Sequence, residues 1–136
     1  MTTIPTEVSH LIETVLHARK TKTSLNIVGG GTKCFYGEEP SGEPCDVRRL
    51  SGICSYEPSE LVVTARAGTP LEGLEAVLAE HNQYLAFEPP RFAKGSTVGG
   101  AVAAGLSGPA RVGVGSIRDF VLGATMINGK GELLTF

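Results

Sequence analysis

Two glycine clusters, each next to hydroxyl or amine side chains, are the residues of this chain best suited to chemistry. The first is Gly29-Gly30-Gly31-Thr32-Lys33 and the second is Gly95-Ser96-Thr97-Val98-Gly99-Gly100. Backbone amides with no side chains in front of them attract anions, above all phosphate, and a nearby lysine adds a cation. The second cluster opens a stretch, residues 95 to 119, that holds seven glycines and only three charges. Such a stretch buries little apolar area and loses much backbone entropy on ordering, so it is expected where something lies against its backbone. Ser96 or Thr97 is expected to cap a short helix through Val98, Ala101, Val102 and Leu106. Gly99 and Gly100 would leave the amide end of that helix bare. A small-residue helix packed tightly against a sheet fits the same composition.

Other chemistry finds less support. Cys34, Cys45 and Cys54 are odd in number and too widely spaced for a zinc knuckle, which predicts reduced thiols. No histidine is placed to activate one of them as a nucleophile. His10, His17 and His81 fall within or at the end of helical stretches and suit surface positions better than a metal site. A P-loop needs Gly-Lys followed by Ser or Thr, but Lys33 follows Thr32 and precedes Cys34, and Lys130 precedes Gly131. A Rossmann fingerprint needs a helix directly after its glycines. Here the sequence continues Cys34-Phe35-Tyr36-Gly37-Glu38-Glu39-Pro40-Ser41-Gly42, which cannot propagate one. What remains is a strand that ends in a run of unhindered amides with one cation, still a good pyrophosphate cradle.

The elements that must position these clusters follow from patterning. At 136 residues and 14.2 kDa the chain provides core for one domain, read here as residues 1 to 136. Its 41% hydrophobic and 19% charged content describes a globular protein. A net charge of −2 without basic runs argues against nucleic acid as a partner. Val8, Leu11, Ile12, Val15 and Leu16 make one apolar stripe, which predicts a helix over 6 to 20 with Thr6 as its cap. Leu25 to Val28 reads as a strand running into the first cluster, and Val47 to Leu50 as a second after a turn-rich stretch from 37 to 46. Leu61 to Ala67 is β-branched and bounded by Pro58 and Gly68, which predicts a strand. Thr69-Pro70-Leu71-Glu72 reads as a capping box opening a helix with Leu71, Leu74, Val77 and Leu78 inward. Tyr84 to Phe87 is expected as a short strand. Phe120 to Ile127 and Glu132 to Phe136 flank Asn128-Gly129-Lys130-Gly131, a hairpin signal. The final strand stops at Phe136 without a terminator, which predicts that the chain is the N-terminal part of a longer domain.

Taken together and in this order, the two clusters and Ser116-Ile117-Arg118-Asp119-Phe120 resemble the FAD-binding domain of the vanillyl-alcohol oxidase and cresol-methylhydroxylase type. Phe35-Tyr36-Gly37, Ala86-Phe87-Glu88-Pro89-Pro90 and Ala101-Val102-Ala103-Ala104-Gly105-Leu106-Ser107-Gly108-Pro109 are most similar to the FAD-binding subunits of bacterial glycolate oxidases within that family. The resemblance implies an α+β fold of two lobes, a small β-α-β lobe with the first cluster and a larger mixed-sheet lobe with the second. It implies FAD between them, its pyrophosphate on the amides of Gly29, Gly30, Gly31, Thr32 and Lys33 and of Gly95, Ser96, Thr97, Val98, Gly99 and Gly100. Ser107 and Gly108 would lie near the cofactor, and Ile117 and Arg118 near its adenine end.

Members that attach flavin covalently often carry histidine where this chain has Thr32, so FAD is expected to be held non-covalently. Family domains continue past the equivalent of Phe136 with a further glycine-rich segment and a substrate-capping domain. The resemblance therefore implies no catalytic side chain and no metal site within these residues, which act as cofactor holders. The activity implied is oxidation of glycolate, a small 2-hydroxy acid, to glyoxylate, beside an iron–sulfur subunit and a second flavin subunit. Its implied place is cytoplasmic, or peripheral at the inner face of the cytoplasmic membrane. A same-fold flavoprotein acting on lactate or a sugar-type alcohol, and a non-enzymatic nucleotide-binding or assembly module, are the alternatives.

Overall fold

The computed structural model describes residues 4–136. Helix α1 (Thr6–Thr21) follows the predicted stripe, but Pro5 is its N-cap and no side chain closes that end. The Pro5 carbonyl takes the amides of Val8 and Ser9 at 3.0 Å each, so Thr6 is already inside the helix. Lys22 stops α1 in a left-handed conformation, φ 57°. Strand β1 (Leu25–Val28) then pairs in parallel with β2 (Glu43–Asp46), Leu25 opposite Glu43 and Val28 opposite Asp46. The connection is a loop over 29–42, so the expected β-α-β unit is not formed: the glycine-rich stretch between the strands, with Pro40 in it, cannot hold a helix, and the helix of this part, α1, precedes β1.

Strand β2 lies four residues before the predicted span of 47 to 50. Glu-Pro-Cys-Asp carries almost no intrinsic strand signal, and pairing with β1 imposes its extended form. The predicted segment turns instead. The Asp46 carboxylate accepts from the Arg48 amide at 2.9 Å, and Leu50 donates to the Val47 carbonyl at 3.0 Å. A side chain bonded to the backbone two residues on competes with any ladder there.

The second part begins with β3 (Ile53–Glu57) and β4 (Val62–Ala65), an antiparallel pair joined by one turn of 3₁₀ helix, Pro58–Glu60. The expected larger mixed sheet is not present among the described residues, whose strands form three separate two-stranded sheets. Strand β4 matches expectation; β3 was not predicted. Helix α2 (Leu71–Ala79) buries Leu71, Leu74 and Leu78 as the pattern requires. Its predicted capping box does not form. Pro70 is the N-cap, and the Thr69 hydroxyl is spent on Gly52, accepting from its amide and donating to its carbonyl at 3.0 Å each. Residues Tyr84 to Phe87 turn rather than extend, with Glu88 donating to the Leu85 carbonyl at 3.0 Å. No strand lies alongside to hold them straight, and Phe87 swings into the core instead.

Helix α3 (Val98–Ala104) is capped by Thr97, one of the two expected candidates, and ends at Gly105, φ 64°, so Leu106 lies just beyond it. Two short helices follow, α4 (Arg111–Val114) and α5 (Ile117–Phe120), the latter closed by a Ser116/Asp119 capping box. The chain ends in the predicted hairpin, β5 (Thr125–Ile127) against β6 (Leu133–Thr135). Phe120 belongs to α5 rather than to that hairpin. Asn128 organises the turn, its side-chain oxygen accepting from the Lys130 and Glu132 amides at 2.9 and 3.0 Å. The turn lies on α1: a Cβ at Gly131 would meet Leu16 at 2.8 Å and Ile12 at 3.6 Å.

The core of the second part is Leu71, Phe87, Ala101 and Ile117, with Leu85 and Val98 packed against it. It therefore clamps α3 between α2 and α5. No helix among the described residues is long and apolar enough to cross a membrane.

Two carboxylates predict how stability responds to acid. Hydrogen bonds from the Arg48 guanidinium and amide hold Asp46 down at about 2. The Ser116 amide and hydroxyl lower Asp119 in the same direction. Both folded-state values lie below the ordinary carboxylate value, so their stabilisation is complete above about pH 4 and is lost as pH falls through the folded values. The urea midpoint of the native chain should therefore drop between pH 5 and 2.5 more steeply than that of an Asp46→Asn, Asp119→Asn double variant. Equal slopes would remove these two groups from the acid response.

Candidate cofactor site

The first glycine cluster leaves β1 and runs directly against the second. A Cβ at Gly30 would stand 1.8 Å from the Gly95 carbonyl oxygen and 2.6 Å from its carbon. At Gly29 it would stand 2.8 Å from the Thr97 hydroxyl. Backbone touches backbone here, which is what glycine at these positions permits. The Thr32 and Ser96 hydroxyls join the clusters 2.9 Å apart, and Ser96 is buried at 3% exposure. Residues 64 apart in sequence thus form one corner.

The two clusters differ in what they offer an anion. Among the described residues the amides of Gly30, Gly31, Thr32 and Lys33 meet no acceptor. The amide end of α3, predicted to be bare, is fully used. Val98 donates to the Thr69 carbonyl at 2.9 Å, Gly99 to Ala67 at 2.7 Å, and Ala101 to Thr97 at 2.9 Å. Gly100 donates to the Thr97 hydroxyl at 3.1 Å, the predicted cap bond. Two of these partners, Ala67 and Thr69, come from the connector between β4 and α2, so α3 is also the tightly packed small-residue helix that its composition allowed. In the second cluster the amides of Gly95, Ser96 and Thr97 meet no acceptor either, but of these three residues only Thr97 lines the adjoining cleft, so most of the free donors there belong to the first cluster.

A cleft of about 350 Å³ opens beside them. Its lining includes all of Gly29 to Lys33, then Tyr36, Thr97, Gly100 and Ala104. That volume falls within the roughly 300–1,000 Å³ of small-molecule sites. The Lys33 ammonium makes no ion pair among the described residues, so the corner carries one uncommitted cation. Cys34 also lines the cleft with an exposed thiol.

The other predicted residues sit apart from this corner. Val98 packs against the core and Gly99 against Ala67, whose Cβ and carbonyl oxygen a Gly99 Cβ would meet at 2.7 and 2.9 Å. The Ser107 hydroxyl accepts from the Ile117 amide at 2.9 Å. Gly108 is pressed on Glu88, where a Cβ would meet the Glu88 carbonyl oxygen at 2.7 Å. Ile117 and Arg118 line a second cleft of about 360 Å³ with Val102, Gly105 and Arg111. Both clefts thus touch α3, one at Gly100, Ala103 and Ala104, the other at Val102 and at Gly105 beyond its end. Asn26, on β1, and Tyr36 and Glu38, in the loop after Lys33, also line the first cleft and were not named as site residues; nothing in their types or spacing marks them, and the fold of the loop brings them there.

Comparison with known proteins gives the family and the fold. Residues 1–136 match the family model described as FAD binding domain. The chain is 48% identical over 126 residues to the glycolate oxidase subunit GlcE of Escherichia coli (strain K12), covering 93% of this chain and 36% of that protein. Among solved structures it resembles wild-type Phl p 4.0202, a glucose dehydrogenase, and Phl p 4, a grass pollen allergen with glucose dehydrogenase activity. Each superposes with a TM-score of 0.78 at 18% identity, covering 97% of this chain and 28% of the other. Identity that low speaks for the fold alone. The paired glycine corners and the family match together lead to one conclusion: the chain belongs to the FAD binding domain family, and its cofactor is FAD.

Proposed function

We propose that this chain is the cofactor-holding part of a flavin-dependent oxidoreductase that oxidises a small 2-hydroxy acid, glycolate, to the 2-oxo acid. The observation that carries this reading is the corner at Gly30 and Gly95, where free amides and one lysine face a cleft. The likeness to the glycolate oxidase subunit GlcE supports the substrate class and a place in a multi-subunit glycolate oxidase. An iron–sulfur subunit and a second flavin subunit beside it are part of the proposal, from the family resemblance. The chain spans 36% of that relative, so substrate and electron partners belong to this proposal. A place in the cytoplasm or at the inner face of the cytoplasmic membrane, implied by the family resemblance, completes the proposal.

The residues present fit FAD. The amides of Gly30 to Lys33 and the Lys33 ammonium would hold diphosphate oxygens, since donors without acceptors and a cation without a counter-ion are what such an anion requires. The Thr32–Ser96 hydroxyl pair keeps the corner closed. When bound, FAD supplies a two-electron acceptor, and the protein supplies binding and orientation. Thr32 has a hydroxyl rather than an imidazole, so nothing at that position links to the flavin ring. Ile117 and Arg118, across α3, are assigned to the far end of the cofactor, with Ser107 and Gly108 shaping the segment that presents them.

Reconstitution of the purified chain with FAD, followed by gel filtration, should give protein carrying the visible flavin absorbance. Protein that emerges colourless at saturating FAD would contradict the proposal. Acid precipitation of the reconstituted chain should then release all yellow colour into the supernatant. Colour that stays with the pellet would point to a covalent link, and Cys34→Ser would show whether the thiol in the cleft makes it.

A further inference from the structure

The loop that leaves the glycine corner divides its two aromatic residues between two tasks. Phe35 turns away to Phe92, their rings edge to face at 80° with centroids 4.8 Å apart. That contact ties the loop after the first cluster to the segment that precedes Gly95. Tyr36 stays on the cleft side and is the aromatic side chain in the cleft lining. Its amide donates to the Lys33 carbonyl at 2.9 Å, which closes a tight turn and sets the ring one turn from the free amides. Its phenol makes no hydrogen bond among the described residues, and 59% of the residue is exposed. Phe35 is itself 66% exposed, so what separates the two rings is their surroundings: Phe35 has Phe92 for a partner, while Tyr36 has no aromatic partner among the described residues and faces the cleft. Ile27 and Pro40, also in the lining, add apolar surface, and Ile27 is 74% exposed.

We infer that Tyr36 is the aromatic wall of this cleft, against which a planar ring joined to the cradled phosphate stacks. The inference rests on the FAD reading above and assigns a binding role to a side chain rather than to the backbone. Both halves of FAD have the required chemistry, a phosphate bearing a flat heteroaromatic ring: isoalloxazine on one side, adenine on the other. Stacking on an aromatic face is tolerant of ring identity, so the halves are separated by experiment.

Calorimetric titration of the 136-residue chain with FAD, FMN and ADP tests the inference, using native protein, Tyr36→Phe, Tyr36→Leu and Tyr36→Ala. Tyr36→Phe should bind FAD like the native chain. Tyr36→Ala should bind roughly 5- to 150-fold more weakly, the range for removing one aromatic partner from a stacked base. Tyr36→Leu, which keeps bulk but loses the ring, should fall with Tyr36→Ala. The half-ligand whose affinity drops alongside FAD identifies the stacked ring. If it is FMN, the emission of bound flavin should also brighten in Tyr36→Phe, because phenol quenches excited flavin by electron donation and a phenyl ring does not. Native-like FAD affinity in Tyr36→Ala and Tyr36→Leu overturns the inference and leaves the FAD reading standing. Failure of the native chain to bind FAD overturns both.

Discussion

Gly30→Ala should abolish FAD retention and lower the stability of the chain by about 3 kcal/mol or more, at or above the top of the usual cost of overpacking. Its backbone is not in the left-handed region, so the added methyl costs nothing in conformation. The obstacle is the Gly95 carbonyl, whose oxygen would lie 1.8 Å from the new Cβ. No carbon approaches an oxygen that closely, and both partners are main chain, so one glycine corner must move off the other. The Thr32–Ser96 hydroxyl contact stands two residues away and would go with it. Gly73→Ala is the matched control: a Cβ there meets nothing within 4 Å, and glycine inside a helix costs roughly 0.5–1 kcal/mol relative to alanine. That variant should gain stability and keep its flavin. Equal urea midpoints for Gly30→Ala and the native chain would mean that the two corners do not touch in solution.

Gly99→Val should be the more damaging at the level of the fold. A Cβ at Gly99 would lie 2.7 Å from the Ala67 Cβ and 2.9 Å from its carbonyl oxygen. The same carbonyl accepts the Gly99 amide at 2.7 Å. Forcing α3 outward breaks that bond and the neighbouring Val98–Thr69 one, and lifts Val98 and Ala101 off the core that Leu71 and Phe87 form. Overpacking together with two lost hydrogen bonds costs at least about 3 kcal/mol, a large part of the roughly 5–15 kcal/mol that holds a domain together. The expected result is little soluble protein, or protein with a collapsed thermal transition, and any loss of flavin follows from that. Soluble, cooperatively folding Gly99→Val that fails only to hold FAD would return the α3 amides to the cofactor and correct the account of the second cluster.

How far the sequence could be read depended on how local each determinant is. The stripe in α1, the run Leu25 to Val28, a cap at Ser96 or Thr97 and the Asn-Gly hairpin all depend on neighbours a few residues away, and each lies where patterning puts it, the cap at Thr97. Strand β2 exists because β1 lies beside it, and nothing in Glu43-Pro44-Cys45-Asp46 announces that. Thr69 looks like a cap, yet Gly52, 17 residues back, claims its hydroxyl. The site divides the same way. Glycine spacing alone marked both corners, and the structure joins them. That the α3 amides are spent on Ala67 and Thr69 depends on contacts about thirty residues apart, which no local pattern carries. Tyr36 was visible only as part of a family motif, since a tyrosine in a loop becomes a wall only when the loop folds back along the cleft.

The central claim is that the loop amides of the first glycine corner are the main free donors of the cofactor site, while the amides at the start of α3 are spent inside the fold. Backbone amide shifts of ¹⁵N-labelled chain, followed by NMR as FAD is added, test this most directly. Large changes at Gly30, Gly31, Thr32 and Lys33, with the amides of Val98 and Gly99 moving little, are the predicted result. Unmoved resonances from Gly30 to Lys33 alongside changes at the start of α3 would contradict it.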